Sequence, residues 1–442
     1  MRNKVLPLLR DKVFPLVLGA VLLVSLFASG VGADGLAPDV SSPGYQTTVN
    51  AKLALDGRVD LARGTYNISG PVLYDQSYYH LRGAGITTTT INSTGAWAFS
   101  VLRSGGEYVE QSSIRDMRIN VAGHGGGYYG KSVASFLTEN LAIREIGTVG
   151  IFADSGSYAG GATMYSAWRG VSLAGTDAVG SVGFYGYGNF NGNTLDRMTT
   201  SDLATGAKFI GAAGVKLSNP TSESNVIGLD IGRGVEGLTV DTGYFEANSE
   251  YDIWIHSENA EQPVRGVVVL GGLFNGTGVT KCAVYISGYV ESVTMIGLDS
   301  FGHTQGRVCV AAGVSQSAQI VELNGRSSGG EKDYDNNNTA ARVKQIVGDT
   351  LLPLPAVTQP DVSASKSWKM NWASPLTVTY LHGAYPGREI LIYCYNANLT
   401  IQNSAGIVLK NGQNFVCSAG ASIRLLPDAY ADDATWFEVG RN

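Results

Sequence analysis

Residues 238–245 read LTVDTGYF, and the pattern returns as VVVLGGLF at residues 267–274 and as SVTMIGLD at residues 292–299. A second short apolar stretch follows each copy, at residues 251–256, 281–286 and 307–312. Each stretch is too short for a helix and alternates as a strand does. A single unit this short cannot bury its apolar side alone, so the repeat predicts stacked coils, that is, a β-solenoid.

The composition agrees with an all-β fold. The chain of 442 residues contains 58 glycines and 22 tyrosines, and only 15% of its residues are charged. Such low charge excludes a disordered chain, because disorder needs high charge and few apolar residues. The formal net charge of −6 argues against nucleic-acid binding, which depends on basic stripes that neutralise phosphate.

Residues 1–33 are predicted to be an export signal that takes no part in the fold. Basic residues at positions 2, 4, 10 and 12 precede an apolar run at residues 13–28, and residues 31–33 (VGA) fit a cleavage site. The apolar run is short for a membrane span, which needs ~20 residues, although an uncleaved anchor is the alternative. We therefore expect a secreted, extracellular protein with no membrane contact after the signal is removed.

The four cysteines of an exported chain are expected to form disulfides. Cys394 and Cys417 flank two strand-like stretches near the end of the chain, so we expect them to bond. Aligning the strands of Cys282 and Cys309 by their leading basic residues places the two thiols one residue out of register, on opposite faces. Whether this second pair is bonded is left open. Neither pair has the CxxC spacing of a zinc site, and no metal is predicted.

Three segments carry a family resemblance. Residues 62–73 (ARGTYNISGPVL), 79–85 (YHLRGAG) and 87–91 (TTTTI) resemble the first coils of the pectate-lyase-like right-handed parallel β-helix superfamily. Residues 243–255 (GYFEANSEYDIWI) look like a recurring coil of the same proteins. The resemblance covers residues 44–325. It implies a tail-spike-like or depolymerase-like protein with polysaccharide as its ligand.

The domain organisation follows from the same pattern. We expect the β-helix in residues 34–350, with a helical cap at about residues 44–60 over its open apolar end. Three prolines then predict a linker at residues 351–372. The short strands of residues 373–442 predict a small C-terminal antiparallel β-sandwich. This module looks like those on phage tail proteins, and the resemblance implies a homotrimer.

Carboxylates are the first candidates for chemistry. Glycoside hydrolysis needs two of them, ~5–5.5 Å apart for retention or ~6.5–9.5 Å apart for inversion. Aligning successive asparagine-led coils puts Asp196 and Asp230 on one face, and Asp241 and Glu246 belong to the same acid-rich region. We predict that some of these four residues act as acid, base or nucleophile. The alternative is that they are solvated residues at turns.

A polysaccharide lyase has different needs: a base, and a group that neutralises the uronate, often Ca²⁺. Arg233 and His256 are the candidates for these roles, and no cofactor is predicted unless a lyase recruits Ca²⁺. Tyr185, Tyr187 and Tyr244 offer flat rings for binding sugar. We predict a hydrolase or lyase that cleaves glycosidic bonds in a surface groove. The rival class is a non-catalytic carbohydrate-binding, adhesive or receptor-binding protein on the same fold.

Overall fold

The computed structural model describes residues 44–103, 107–123, 125–155, 161–315, 318–323, 325–328, 334–336, 342–346, 352–362, 367–384, 389–428 and 434–442. The predicted export signal lies outside these residues. The described chain is nearly all β, with a parallel solenoid of about 13 turns and a small C-terminal region of mixed sheets. The solenoid predicted from the sequence repeat is confirmed.

One 20-stranded parallel sheet forms two faces of the solenoid. In most coils the chain bends once within this sheet. We call the part of the sheet that the chain forms before the bend the leading face, and the part that it forms after the bend the trailing face. Its strands are Arg58–Asp60, Gly64–Ile68, His80–Arg82, Thr89–Ser93, Ser113–Asn120, Leu137–Ile146, Ala167–Gly175, Thr194–Asp196, Thr199–Ser201, Lys216–Ser218, Thr221–Glu223, Thr239–Asp241, Tyr244–Glu246, Val267–Leu270, Leu273–Asn275, Ser292–Ile296, Asp299–Phe301, Gln319–Leu323, Arg326–Ser328 and Arg342–Ile346.

A parallel sheet of 11 strands forms the third face. Its strands are Val72–Tyr74, Trp97–Val101, Gly126–Lys131, Val149–Asp154, Val182–Tyr187, Thr205–Ile210, Ile227–Ile231, Tyr251–Ser257, Cys282–Gly288, Gly306–Val310 and Tyr334–Asn336. A short ladder of four strands completes the early coils, and it consists of Val109–Glu110, Val133–Ala134, Thr163–Met164 and Phe190–Asn191.

Side chains that point inward stack from one coil to the next. Ala207, Leu229, Ile253, Val284 and Val308 pair in successive strands of the third face and are at most 2% exposed. Full burial of a Leu or Ile side chain contributes about 1.5–3 kcal/mol, and each coil supplies the cover for its neighbour. Outward positions of the same strands are therefore free to carry polar and aromatic residues.

A helix, Tyr45–Asp56, covers the first coil, as the predicted cap requires. Tyr45, Val49 and Leu53 are spaced four apart and are buried against the solenoid core. Asn50 accepts a hydrogen bond from the backbone N–H of Leu73 and donates one to the carbonyl of Pro71, so it satisfies part of the open strand edge. The helix ends at Gly57, whose left-handed φ of 67° suits a glycine.

The C-terminal region has two sheets, and their pairing is mixed, whereas the sequence predicted an antiparallel sandwich. The larger sheet has the strands Leu352–Pro353, Ser367–Met370, Ile390–Cys394, Ile407–Val408, Ser422–Pro427 and Trp436–Arg441. The smaller sheet has Leu376–Val378, Leu399–Ile401 and Phe415–Val416, and a single 3₁₀ turn spans Lys410–Gly412. The early strands pair in parallel one coil apart, because Trp368 faces Ile392 and Leu376 faces Leu399. Antiparallel pairs occur only later, among the described strands that close the module.

The predicted linker, residues 351–372, contributes to this module where the structure describes it. Leu354, Val362, Trp368 and Trp372 are buried in the C-terminal core. The Trp372 indole N–H donates to the carbonyl of Leu354 at 2.8 Å. The segment is therefore exposed at residues 355–359 but anchored to the C-terminal core on both sides.

Both cysteine pairs are bonded, Cys394 with Cys417 and Cys282 with Cys309. The alignment that separated the second pair was wrong, since Val308 pairs with Val284 and not with Cys282. The sulfur of Cys309 turns back to within 3.9 Å of the carbonyl of Gly306, the residue that pairs with Cys282. Among the described residues, no helix combines the length and apolarity that crossing a bilayer requires.

Candidate functional site

A column of outward side chains runs along the third face, and its character changes midway. Parallel pairing places its members on successive strands, in the order Tyr129, Phe152, Tyr185, Lys208, Asp230, Trp254 and Tyr285. Neighbouring strands lie ~4.8 Å apart, so each residue is next to the one that follows it. A lysine and an aspartate therefore lie between two aromatic segments.

Asp230 is the centre of this column. Its side chain is only 2% exposed, and it accepts hydrogen bonds from Lys208 Nζ at 2.8 Å and from His256 Nε2 at 2.9 Å. Burial by itself raises the pKa of Asp230, but the hydrogen bond from His256 and the charge of Lys208 outweigh burial, and the pKa is lowered. Asp230 is therefore an ionised carboxylate at neutral pH.

This carboxylate determines the tautomer of His256. An ionised carboxylate has no proton to donate, so Nε2 of the imidazole must carry the hydrogen. In neutral His256 the lone pair then lies on Nδ1, which is 3.8 Å from Oε1 of Glu258. The Trp254 ring stacks on the imidazole with centroids 3.7 Å apart and holds its plane. The arrangement gives an oriented base.

The base borders a cleft of about 470 Å³ on the outside of the solenoid. The cleft is lined by Lys208, Ile210, Gly232, Arg233, His256, Glu258 and Asn259. The loop after strand Tyr251–Ser257 forms one wall. The hydroxyl of Ser257 ties this loop, because it accepts from the N–H of Asn259 at 3.1 Å and donates to the carbonyl of Gln262 at 2.9 Å. A preformed wall of this kind orders the cleft before a ligand binds.

Several predicted site residues do come together here. Arg233 and His256 line the cleft, and Asp230 lies directly beneath His256. Tyr185 is one coil before Lys208, and its ring lies 5.7 Å from that of Tyr187. Burial, followed by the electrostatic influence of Tyr187 and of Asp230, raises the pKa of Tyr185 to about 12. Its phenol is therefore a neutral hydrogen-bond donor near the cleft.

The predicted pairing of Asp196 with Asp230 is wrong. Asp196 is on the leading face, where Ser218 lies one coil above it and Asp241 two coils above it. Its carboxylate contacts the exposed Arg197 at 3.2 Å, and Asp241 contacts Lys216 at 3.3 Å. Asp230 is on the third face, so these three carboxylates do not share a groove.

Glu246 and Tyr244 lie on the trailing face, away from the cleft. The Tyr244 hydroxyl donates to Glu246 at 2.6 Å, and Asn275 Nδ2 donates to the same carboxylate at 2.7 Å. The hydrogen bond to Glu246 raises the pKa of Tyr244 to about 12. Glu223 faces Glu246 on the adjacent strand, so this face holds a pair of neighbouring glutamates.

The aromatic rings of the third face stack mainly on one another. Phe152 and Tyr185 are nearly parallel with centroids 5.0 Å apart, and Tyr251 and Tyr285 are nearly parallel at 4.3 Å. A ring whose faces are covered by its neighbours presents its edge to solvent. These rings therefore offer hydroxyls and apolar edges, and broad faces only where a stack ends.

Sequence reasoning missed Lys208, Trp254, Glu258 and Asn259. Lys208 and Trp254 pair with Asp230 on the strands one coil before it and one coil after it. Coil spacing applied to Asp230 itself would have found them. Glu258 and Asn259 belong to a loop, and nothing in the repeat predicts where a loop turns. Among the described residues, no group of three or more His, Cys, Asp or Glu side chains has the geometry of a metal site.

Comparisons with known proteins yield structural likenesses at low identity. No family model matches the chain, and no curated protein matches it. The mannuronan C-5 epimerase AlgE6 A-module of Azotobacter vinelandii is similar at 16% identity, with 69% of this chain and 94% of that one covered and a TM-score of 0.43. The catalytic unit of a GH87 α-1,3-glucanase from Streptomyces thermodiastaticus is similar at 12% identity, with 68% of this chain and 70% of that one covered and a TM-score of 0.40. In its fold, the chain is a parallel β-solenoid protein.

Proposed function

We propose that the cleft binds a polysaccharide that contains acidic sugars and cleaves it by base-catalysed elimination. The observation that carries this proposal is the Asp230–His256 hydrogen bond at 2.9 Å, with the cations of Lys208 and Arg233 at the same cleft. A carboxylate that orients an imidazole is a recurrent way to present a general base. Arg233 gives a net acidic protein a local attraction for uronate, while Lys208 shares its charge with Asp230.

In the proposed step, Nδ1 of His256 removes the proton on C5 of a uronate. The electron pair of that C–H bond forms a C4–C5 double bond, and the bond from C4 to the glycosidic oxygen breaks. The leaving oxygen takes a proton from solvent, which gives a new reducing end and an unsaturated sugar. Lys208 and Arg233 stabilise the negative charge that builds up on the uronate carboxylate in the transition state.

Hydrolysis is the second candidate, and it is favoured by a different observation. Glu223 and Glu246 face each other on adjacent strands of the trailing face. Strands ~4.8 Å apart hold such residues near the ~5–5.5 Å separation of a retaining pair. The cleft at His256 does not include them, and Glu246 already accepts two hydrogen bonds. We therefore rank this pair below the cleft.

The test is a panel of acidic and neutral polysaccharides, assayed with and without Ca²⁺. Reducing ends and the ultraviolet absorbance of the unsaturated product are followed for the wild type and for His256→Ala, Lys208→Ala and Glu246→Gln. Arg197→Ala, at the bend that follows strand Thr194–Asp196 and away from the cleft, is the control. Loss of a general base lowers kcat by about 10²–10⁴-fold. We expect that loss for His256→Ala and a lower kcat for Lys208→Ala as well, with Glu246→Gln and the control unchanged.

Each outcome selects one function. Absorbance that depends on His256 supports elimination, and absorbance unaffected by His256→Ala overturns the assignment of the base. Reducing ends without absorbance, lost in Glu246→Gln, would replace the proposal with hydrolysis. Binding with no cleavage would support the non-catalytic alternative. Export through residues 1–33 and assembly into a homotrimer stay predictions that this proposal does not need.

A further inference from the structure

A second cleft lies at the other end of the solenoid, where the first coils bend between the leading and trailing faces. It measures about 540 Å³, and its lining includes three arginines and two aspartates: Arg58, Arg63, Arg82, Asp60 and Asp116. It shares no residue with the cleft at His256. The second cleft is therefore a separate feature of the molecule.

The charge of this second cleft is positive, although the whole protein is acidic. Arg58 forms an ion pair with Asp60 at 3.0 Å, and Arg82 forms one with Asp116 at 3.0 Å. The charges of these two arginines are therefore neutralised by carboxylates. Arg63 is exposed, and Arg115 lies on the strand next to Arg82. Neither Arg63 nor Arg115 forms an ion pair among the residues that the structure describes. Arg63 is therefore the lining cation without a carboxylate beside it, whereas Arg115 lies outside the lining and has Arg82 on one neighbouring strand and Glu139 on the other.

The pairing of Arg82 with Arg115 works against the stability of the sheet. The two residues are directly opposite each other on adjacent strands. Like charges in this arrangement repel. Their field reaches further, since the pKa of His80 is lowered by burial and then by the charges of Arg115 and Arg58. Local conflicts of this kind are expected where a site serves a ligand.

The backbone adds donors to the same cleft. Leu61 and Gly64 donate their N–H groups to the next coil, to the carbonyls of Arg82 and Thr88. Ala62 and Arg63 lie between these two residues. Among the described residues, no backbone carbonyl outside the regular strands accepts a hydrogen bond from either of their N–H groups. Guanidinium forks and unpaired amides are the groups that hold oxyanions in proteins.

We propose that this cleft is a binding site for a multiply charged oxyanion, a sulfate or phosphate group. Asp60 and Asp116 hold Arg58 and Arg82 in place, so these side chains lose little freedom when an anion binds. Arg63 supplies positive charge at the lining of the cleft, and Arg115 adds to it from the strand next to Arg82. Free ions and sulfate esters on a polymer share this chemistry, and the experiment separates them.

Calorimetry with inorganic phosphate and with sulfate, at ionic strength fixed with potassium chloride, tests the site. The double variant Arg63→Ala, Arg115→Ala is compared with the wild type. Arg197→Ala is the control, because Arg197 is also an exposed arginine at a bend of the solenoid but contacts Asp196. We expect the variant to bind phosphate roughly tenfold more weakly, with the control unchanged. Circular dichroism on all three proteins checks that the fold is kept.

A second arm compares dextran sulfate with uncharged dextran. Stronger binding of the sulfated polymer, lost in the double variant, identifies a polymer-borne sulfate as the ligand. Binding of the free ions alone identifies a site for small anions. Equal weakening in the control, or no binding of either ion above the chloride background, overturns the proposal.

Discussion

At the scale of the residue, Asp230 combines nearly full burial with a full charge. A buried carboxylate is tolerated because Lys208 and His256 both donate to it. Removing the charge would leave two donors facing a neutral amide in a place that water does not reach. The cost of that change should exceed the cost at any exposed aspartate of the same solenoid.

We expect Asp230→Asn to lower the free energy of unfolding by about 2–4 kcal/mol at pH 7. Asp196→Asn, whose carboxylate is 31% exposed, should cost less than about 1 kcal/mol and is the matched control. Urea unfolding followed by circular dichroism measures both. Equal costs for the two variants would contradict the buried ion pair.

The lowered pKa of Asp230 gives this difference a pH dependence. A carboxylate whose pKa is lower in the folded state stabilises the protein above its unfolded pKa of about 3.9. That contribution is lost as pH falls through the folded pKa. The gap between wild type and Asp230→Asn should therefore shrink when urea unfolding is repeated below about pH 4. A gap that stays constant with pH would contradict the shift.

At the scale of the element, one left-handed residue per coil makes the bend between the leading and trailing faces. The position is occupied by Asp116, Asn140, Gly170, Arg197, Asn219, Thr242, Gly271 and Gly297, with φ between 50° and 68°. A left-handed conformation costs roughly 1–2 kcal/mol for most residues, and less for Asn and Gly. Thr242 is β-branched, so it carries the strain that its neighbours avoid.

We expect Thr242→Asn to raise the free energy of unfolding by about 0.5–1 kcal/mol, because Asn219 holds the same conformation one coil below. Gly271→Ala should lower it by about 1 kcal/mol, since open space around the new methyl leaves backbone strain as the only cost. Thermal unfolding of both variants checks the pair. A destabilised Thr242→Asn would show that its side chain matters more than its backbone.

At the scale of the whole molecule, the described chain has two separate clusters of buried apolar residues. One extends from Tyr45 to Ile320, and the other from Leu354 to Trp436. Each region contains one disulfide. Two cores that share no buried residue are expected to unfold as separate cooperative units.

Replacing Cys394 and Cys417 together by alanine should lower the stability of the C-terminal unit by about 2–4 kcal/mol. The solenoid should keep its stability. Hydrogen exchange in urea, resolved by peptide mass spectrometry, follows each unit separately. Faster exchange in both units would show that the molecule unfolds as one.

The sequence by itself determined the coil repeat, the inward apolar positions and the cap. Two local features of the sequence carry this information: apolar residues alternate with period two, and one short pattern recurs along the chain. Stacked coils are the arrangement that buries those apolar residues. His256, Arg233 and Asp230 were predicted as site residues from their types in an acid-rich region. The hydrogen bond between Asp230 and His256 was not predicted.

Only the tertiary structure decided which side chains meet. One coil above Asp196 is Ser218, and one coil below Asp230 is Lys208, so the two aspartates are not separated by a whole number of coils. Coil lengths differ because the turns differ, and each difference moves a residue along the strand or onto another face. Which residues meet across coils therefore depends on the lengths of all the turns between them. No single stretch of sequence contains that information.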